Sequence, residues 1–203
     1  SRSMDSQVRL MEAEIVPPES FVADDHRLFL DTNVFMDTDE DRSVGLKELF
    51  ERCKSAAKSN ENGIVVPSKV IDELVRQSRR DTATLDIENA TAVERAGRWH
   101  KVLEQLAALG IVRSHLGDDS NPYADDLFVE LFSQFGGRYD MCLLTNDITL
   151  LLRIRLLAVS TGYRLVAGTV SKDGLVVLEG DQSLYDRANK KLTWITRRID
   201  EGS

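Results

Sequence analysis

The chain has 203 residues, 42% of them apolar, and a formal net charge of −8 at neutral pH. That is enough for one sizeable globular domain with a core, and no stretch approaches the roughly 18 apolar residues of a membrane span. The acidic balance excludes nucleic-acid binding driven by overall basicity, but leaves room for a local basic rim or an acidic cluster that takes up a metal ion.

In chain order, residues 1–26 are polar, with Pro17-Pro18 and several acids, and read as an arm or short docking segment. Their start has no apolar signal-peptide core, and Ser1 to Ser3, ahead of Met4, read as an expression remnant. "RLFLDTNVFMD" reads as a buried strand followed by a loop. "SVGLKELFERCKSAAKSN" places Leu46, Leu49, Phe50 and Cys53 at helical spacing. "NGIVVPS" is a turn, a short buried strand and a stop, and "SKVIDELVRQSRR" a helix with Ser68 as its expected N-cap. "LDIENATAVERAGRWHKVLEQLAALG" gives one or two helices ended by Gly110, and "IVRSHL" a short strand. After the turn-like "GDDSNP", "YADDLFVELFSQFGG" is helical and "YDMCLLTND" is a second buried strand running into an acid. "ITLLLRIRLLAVSTG" reads as a helix ending at Gly162, although its L-R-I-R-L alternation also fits a strand. "YRLVAGTVSKDGLVVLEG" carries one or two strands with a D-G turn, and "SLYDRANKKLTWITRRIDEG" a C-terminal helix.

Strands alternating with helices imply an α/β fold with a mainly parallel sheet. Ligands of such sheets bind beyond the carboxyl ends of the strands, where Asp31 and Asp147 both fall. Cys53 and Cys142 fit neither a zinc spacing nor a disulfide framework, so reduced thiols in a cytoplasmic protein are expected. Three histidines (His26, His100, His115) without an H-E-x-x-H pattern argue against a zinc hydrolase.

Each acid has a purely structural explanation. Asp31 sits in Asp-Thr-Asn, good turn chemistry, and Asp147 is placed to cap the next helix. Asp72 and Glu73 flank the Val70, Ile71, Leu74, Val75 face on opposite sides, so periodicity does not choose between them. In "DDLFVELFSQF", Leu127, Phe128, Leu131, Phe132 and Phe135 define the apolar sector. Asp125 falls beside that sector and Asp126 nearly opposite to it. A convergence of such acids has a further consequence: two bare carboxylates ~4 Å apart repel by roughly 4 kcal/mol at an effective dielectric near 20. The group must then take up protons or bind a cation. Oxygen-only ligands select Mg²⁺ or Mn²⁺.

These residues resemble a PIN-domain (PIN-like) nuclease. The resemblance rests on "FLDTNVFMD", "VPSKVIDEL", "YADDLFVELF" and "MCLLTND", in that order, over residues 27 to about 170. It implies a three-layer α/β/α sandwich and metal-dependent cleavage of RNA, usually single-stranded. It also implies that Asp31, Glu73, Asp125 and Asp147 are the metal-binding and catalytic acids, which separates Glu73 from Asp72, with Asn33, Thr145 and Asn146 in support. Residues 79–109 exceed the compact members and are expected as a helical insert over the site; residues 171–203 are expected as an extension packed on the same domain.

The expected mechanism is attack by a metal-activated water, with no side chain as nucleophile. Lys69 and Arg80, with Arg79 behind them, are the candidate phosphate contacts on the Glu73 helix; Lys190, Lys191, Arg197 and Arg198 are a weaker track. Tyr123 and Trp99 have a stacking reading and a more ordinary packing one. A phosphoaspartate phosphatase is disfavoured because Asn33 stands where that chemistry needs a second Asp. The alternatives are a catalytically weak or silent PIN-like nucleic-acid-binding or protein-docking module, and action on DNA. Partners implied are RNA, and an inhibitor or delivery protein suited to an acidic chain; no membrane is implied.

Overall fold

The computed structural model describes residues 13–60, 63–114, 126–180 and 183–191. The elements are β1 (Glu14–Val16), a 3-10 turn (Pro18–Phe21), β2 (His26–Leu30), α1 (Thr32–Phe35), α2 (Glu40–Ser59), β3 (Ile64–Val65) and α3 (Ser68–Ser78). They continue with α4 (Ile87–Ala108), α5 (Leu127–Phe135), β4 (Asp140–Leu144), α6 (Ile148–Thr161), β5 (Leu165–Val170) and β6 (Val176–Leu178).

The strands form one sheet in the order β1-β6-β5-β4-β2-β3. β3, β2, β4 and β5 are mutually parallel, and β6 and β1 are antiparallel additions at one edge. Residues 28–30 and 141–144 are fully or almost fully buried. Strands covered on both faces read as continuous apolar runs rather than alternating ones, which is why "LFL" and "MCLL" are legible as strands.

A parallel connection is right-handed in nearly all cases. The step from β2 to β3, and the next to a parallel bridge between Val65 and Arg113, move outward in the same direction. Their helices α2, α3 and α4 therefore share one face. Trp99 of α4 accordingly packs 5.5 Å, ring to ring, from Phe50 of α2 and from Phe35 of α1. The return to β4 and the step to β5 run the other way and put α5 and α6 on the opposite face. There Phe132 of α5 meets Phe29 of β2 edge-on at 5.1 Å. An α/β fold is thus observed, compatible with three layers.

Several local expectations change. Ser68 does not cap α3: the N-cap is Pro67, without a side-chain cap bond. Residues 79–109 hold one 22-residue helix, capped by Asp86, whose Trp99 is part of the core and not free to stack. Of "IVRSHL", the described residues 111–114 contribute a single bridge, at Arg113. The loop after Asp31 begins with a short helical turn, α1. "ITLLLRIRLLAVST" is helical, closed by Gly162 at φ +72°, a left-handed position that glycine takes without Cβ strain. Residues 14–16 of the polar arm pair with β6. Helix α2 crosses the β5–β6 turn so closely that a Cβ on Gly45 would lie 1.8 Å from the Ser171 carbonyl oxygen. Both cysteines are free and buried.

Candidate functional site

The register of the two central strands builds the site. His26 lies beside Asp140 and Leu30 beside Leu144, so the next residues out, Asp31 and Thr145, are neighbours. The sheet bonding runs one residue past each strand: Asp31 N donates to the Leu144 carbonyl at 3.0 Å, and Thr145 N to the Gly168 carbonyl at 3.0 Å. Between β2 and β4 the chain also changes direction of winding. This is the topological switch point of the parallel sheet, where a crevice opens between diverging connections.

Asp31 caps α1. Its Oδ1 accepts from Thr32 N at 2.8 Å; its Oδ2 accepts from the Thr145 hydroxyl at 2.8 Å and Asn33 Nδ2 at 3.1 Å. Thr145, 0% exposed, in turn accepts from Asn33 Nδ2 at 3.2 Å and Asp147 N at 3.1 Å. Asn146 N donates to Asn33 Oδ1 at 2.9 Å. Asp147 caps α6 through Oδ1, which accepts from Thr149 N at 2.9 Å and Leu150 N at 3.4 Å. Desolvation pushes the Asp31 carboxyl above its ordinary range, and the nearby Asp147 charge adds to this; the Thr145, Thr32 and Asn33 donors oppose it.

A carboxylate offers about four lone-pair positions. Three of those on Asp31 are filled, leaving one on Oδ1. On Asp147, Oδ1 takes two donors and Oδ2 none from the described residues. The edge therefore presents two carboxylates, one half-buried and one exposed, each with an oxygen open to a ligand.

Glu73 is held differently. Its Oε1 accepts from Gln77 Nε2 at 2.7 Å and its Oε2 from the Arg76 guanidinium, both on its own helix. The Gln77 amide, followed by Arg76, draws its carboxyl below the ordinary range. Asp72 is exposed. Asp125 and Tyr123 lie outside the described residues, as do Arg197 and Arg198. Asp126, at the N-cap of α5, pairs with Arg153 at 2.5 Å. Among the described residues, no three His, Cys, Asp or Glu side chains are grouped closely enough to hold a metal ion.

Lys69 stands in the first turn of α3, at the carboxyl edge, and its Nζ is buried with no hydrogen-bond partner. Arg79 and Arg80 are exposed at the far end, with Arg80 bonded to Gln77. Lys69 and Arg80 are eleven positions apart, about 16 Å at the helical rise, so they do not share one phosphate. Lys190 and Lys191 are exposed.

Sequence reasoning left Asp37 and Arg42 without a role. Asp37, its side chain only 7% exposed, accepts from Asn146 Nδ2 at 2.9 Å and from both Nε and NH2 of Arg42. The signal was available, since Asp37 closes the same "DTNVFMD" that opens on Asp31. Compared with protein-family models, curated proteins and solved structures, the chain gives no significant match.

Proposed function

We propose that the protein is a Mg²⁺- or Mn²⁺-dependent nuclease of PIN-like type, hydrolysing phosphodiester bonds of single-stranded RNA. The observation that carries this reading is the pair Asp31–Asp147, delivered by two strands to the switch point with one open oxygen on each. Only oxygens are on offer there, which suits a hard divalent ion. When bound, such an ion makes a nucleophile from water and polarises the phosphoryl oxygen.

The chain's own residues set that chemistry up. Thr145 from the neighbouring strand, with Thr32 and Asn33 from its own turn, holds the Asp31 carboxylate in place and leaves one Oδ1 position unfilled. Asp147 is fixed by the N-terminus of α6 through Oδ1, and its Oδ2 receives no donor from the described residues. Glu73 would help hold the ion on releasing Arg76 and Gln77, and Asp125 is the fourth acid implied by the resemblance. Lys69 supports a phosphate-binding role. A buried ammonium without a partner is costly, and a phosphodiester oxygen arriving at the edge supplies the missing anion. Replacing Lys69 by Gln is expected to lower the salt slope of RNA binding by about one unit.

A second reading has one observation in its favour. Glu73 is engaged within its own helix, so the described residues bring together two acids and not three. That geometry suits a module that binds nucleic acid without cutting it. Incubating single-stranded RNA and single-stranded DNA with wild type and Asp31→Asn, with Mn²⁺ or EDTA, separates the readings. Mn²⁺-dependent RNA cleavage lost in the variant supports the nuclease. RNA retained without cleavage supports the binding module, and equal cleavage by the variant sinks the site. Among the described residues, no helix is long and apolar enough to cross a membrane.

A further inference from the structure

Asp147 is exposed, and its own cap bonds lie within α6. Its placement relative to Asp31 is therefore set by the two residues before it. Thr145 is clamped by the sheet. Asn146 is clamped from another quarter: its Nδ2 donates to the Asn33 carbonyl at 3.3 Å and to Asp37 Oδ2 at 2.9 Å. Asp37 cannot swing away. Its Oδ1 accepts from Asp39 N at 3.0 Å and Arg42 NH2 at 3.1 Å, and its Oδ2 from Arg42 Nε at 2.5 Å. With Asn146, every lone-pair position of this carboxylate is filled. Its backbone carbonyl accepts from Arg95, a buried arginine of α4 that also pairs with Glu40 at the start of α2.

A carboxylate so fully donated to has nothing left for a cation. We infer that Asp37, held by Arg42, is a positioning residue that orients Asn146 and so fixes the Asp31–Asp147 spacing for a divalent ion. Metal-free, the two site carboxylates repel, and neutral donors tie their loops together. The Thr145 hydroxyl is one tie, donating to Asp31 Oδ2 and accepting from Asp147 N; the Asn146 side-chain amide is a second, reaching the Asn33 carbonyl and Asp37, with the Asp37–Arg42 pair as its anchor. The conclusion rests on reading the edge as a divalent-metal nuclease site.

The test is Mn²⁺ titration calorimetry on the full chain as wild type, Asp37→Asn, Arg42→Gln, Asn146→Ala and the Asp37→Asn/Asn146→Ala double variant. Amide spectra of the metal-free proteins are recorded in parallel. Losing an outer-shell partner costs about 10–100-fold in metal affinity. Asp37→Asn is therefore expected near 10-fold, with a shifted Asn146 side-chain amide resonance, and Arg42→Gln lower in the same direction. Because Asp37 acts through Asn146, its substitution should cost nothing further in the Asn146→Ala background. A purely structural Asp37 would weaken both backgrounds alike, and that result overturns the inference. So does a folded Asp37→Asn that binds Mn²⁺ within twofold of wild type. If Asp37→Asn fails to fold, unchanged affinity and an unmoved Asn146 amide in the half-exposed Arg42→Gln variant overturn it instead. A wild type that takes up no Mn²⁺ removes the metal reading itself, a different failure from the first two.

Discussion

Two acids of the candidate site are held in opposite ways. Asp31 receives one donor from Thr145, 114 positions away, and two from its own turn, Thr32 and Asn33, the latter locked across the sheet by its bonds to Thr145 and Asn146. Glu73 receives all its donors from residues three and four places along its own helix. A long-range donor such as Thr145 is positioned by the sheet and does not follow a moving side chain, and it locks Asn33 as well, so Asp31 is preorganised. Local donors travel with the helix and are exchangeable, since an exposed helical ion pair is worth only about 0.3–0.5 kcal/mol. Fixity in this site comes from tertiary register and adaptability from secondary structure.

The comparison breaks most visibly at Asp31. Asp31→Asn removes the preorganised oxygen, and Mn²⁺-dependent RNA hydrolysis should fall on the order of 10²–10³-fold, the scale of losing one directed electrostatic contact to a transition state. Rates near wild type in a gel-based cleavage assay would discard the site. Thr145→Val comes next. It strips a fully buried hydroxyl from the Asp31, Asn33 and Asp147 backbone contacts, and leaving such partners unpaired costs about 1–3 kcal/mol. Thermal denaturation should show a clear drop in Tm; an unchanged Tm would mean the two strands are not interlocked there.

Acidity sharpens the contrast because the two carboxyls shift in opposite senses. Asp31 is raised above its ordinary 3.8. Between that value and its folded one, the native chain holds a proton the unfolded chain has released. Its contribution to stability therefore declines as pH rises through that window. Glu73 is lowered from 4.5, so its contribution is present above 4.5 and is lost as pH falls through the folded value. Stability curves from about pH 3 to 7 for Asp31→Asn and Glu73→Gln, each subtracted from wild type, should slope in opposite directions. Parallel slopes would refute the contrast. Mn²⁺ affinity should weaken on acidification as the proton on Asp31 competes for its open oxygen.

The smallest effect belongs to Arg76→Ala. Stability should change by no more than about 0.5 kcal/mol, while Mn²⁺ affinity rises modestly if Glu73 is released to ligate. Weaker Mn²⁺ binding by this variant would place Arg76 in support of the ion, against the exchange described above.

What the sequence determined by itself follows from local physics. Buried parallel strands are uninterrupted apolar runs, so "RLFL" and "MCLL" stand out, and the acids that follow them must sit at the carboxyl edge. The helices of "SVGLKELF" and "SKVIDELV" follow from 3.6-residue periodicity, and the D-G turn from its own chemistry. Tertiary structure alone decided that β2 and β4 are neighbours in a register placing Asp31 beside Thr145, because pairing partners are chosen by packing and not by local preference. The turn of Glu73 to Arg76 and Gln77 follows from i+3 and i+4 spacing on one helix, whereas tertiary structure decided that Trp99 fills the core between Phe35 and Phe50. The same holds for Asp37, which meets Asn146 across 109 positions: no spacing in the chain encodes a bond between side chains that only the folded sheet brings within reach.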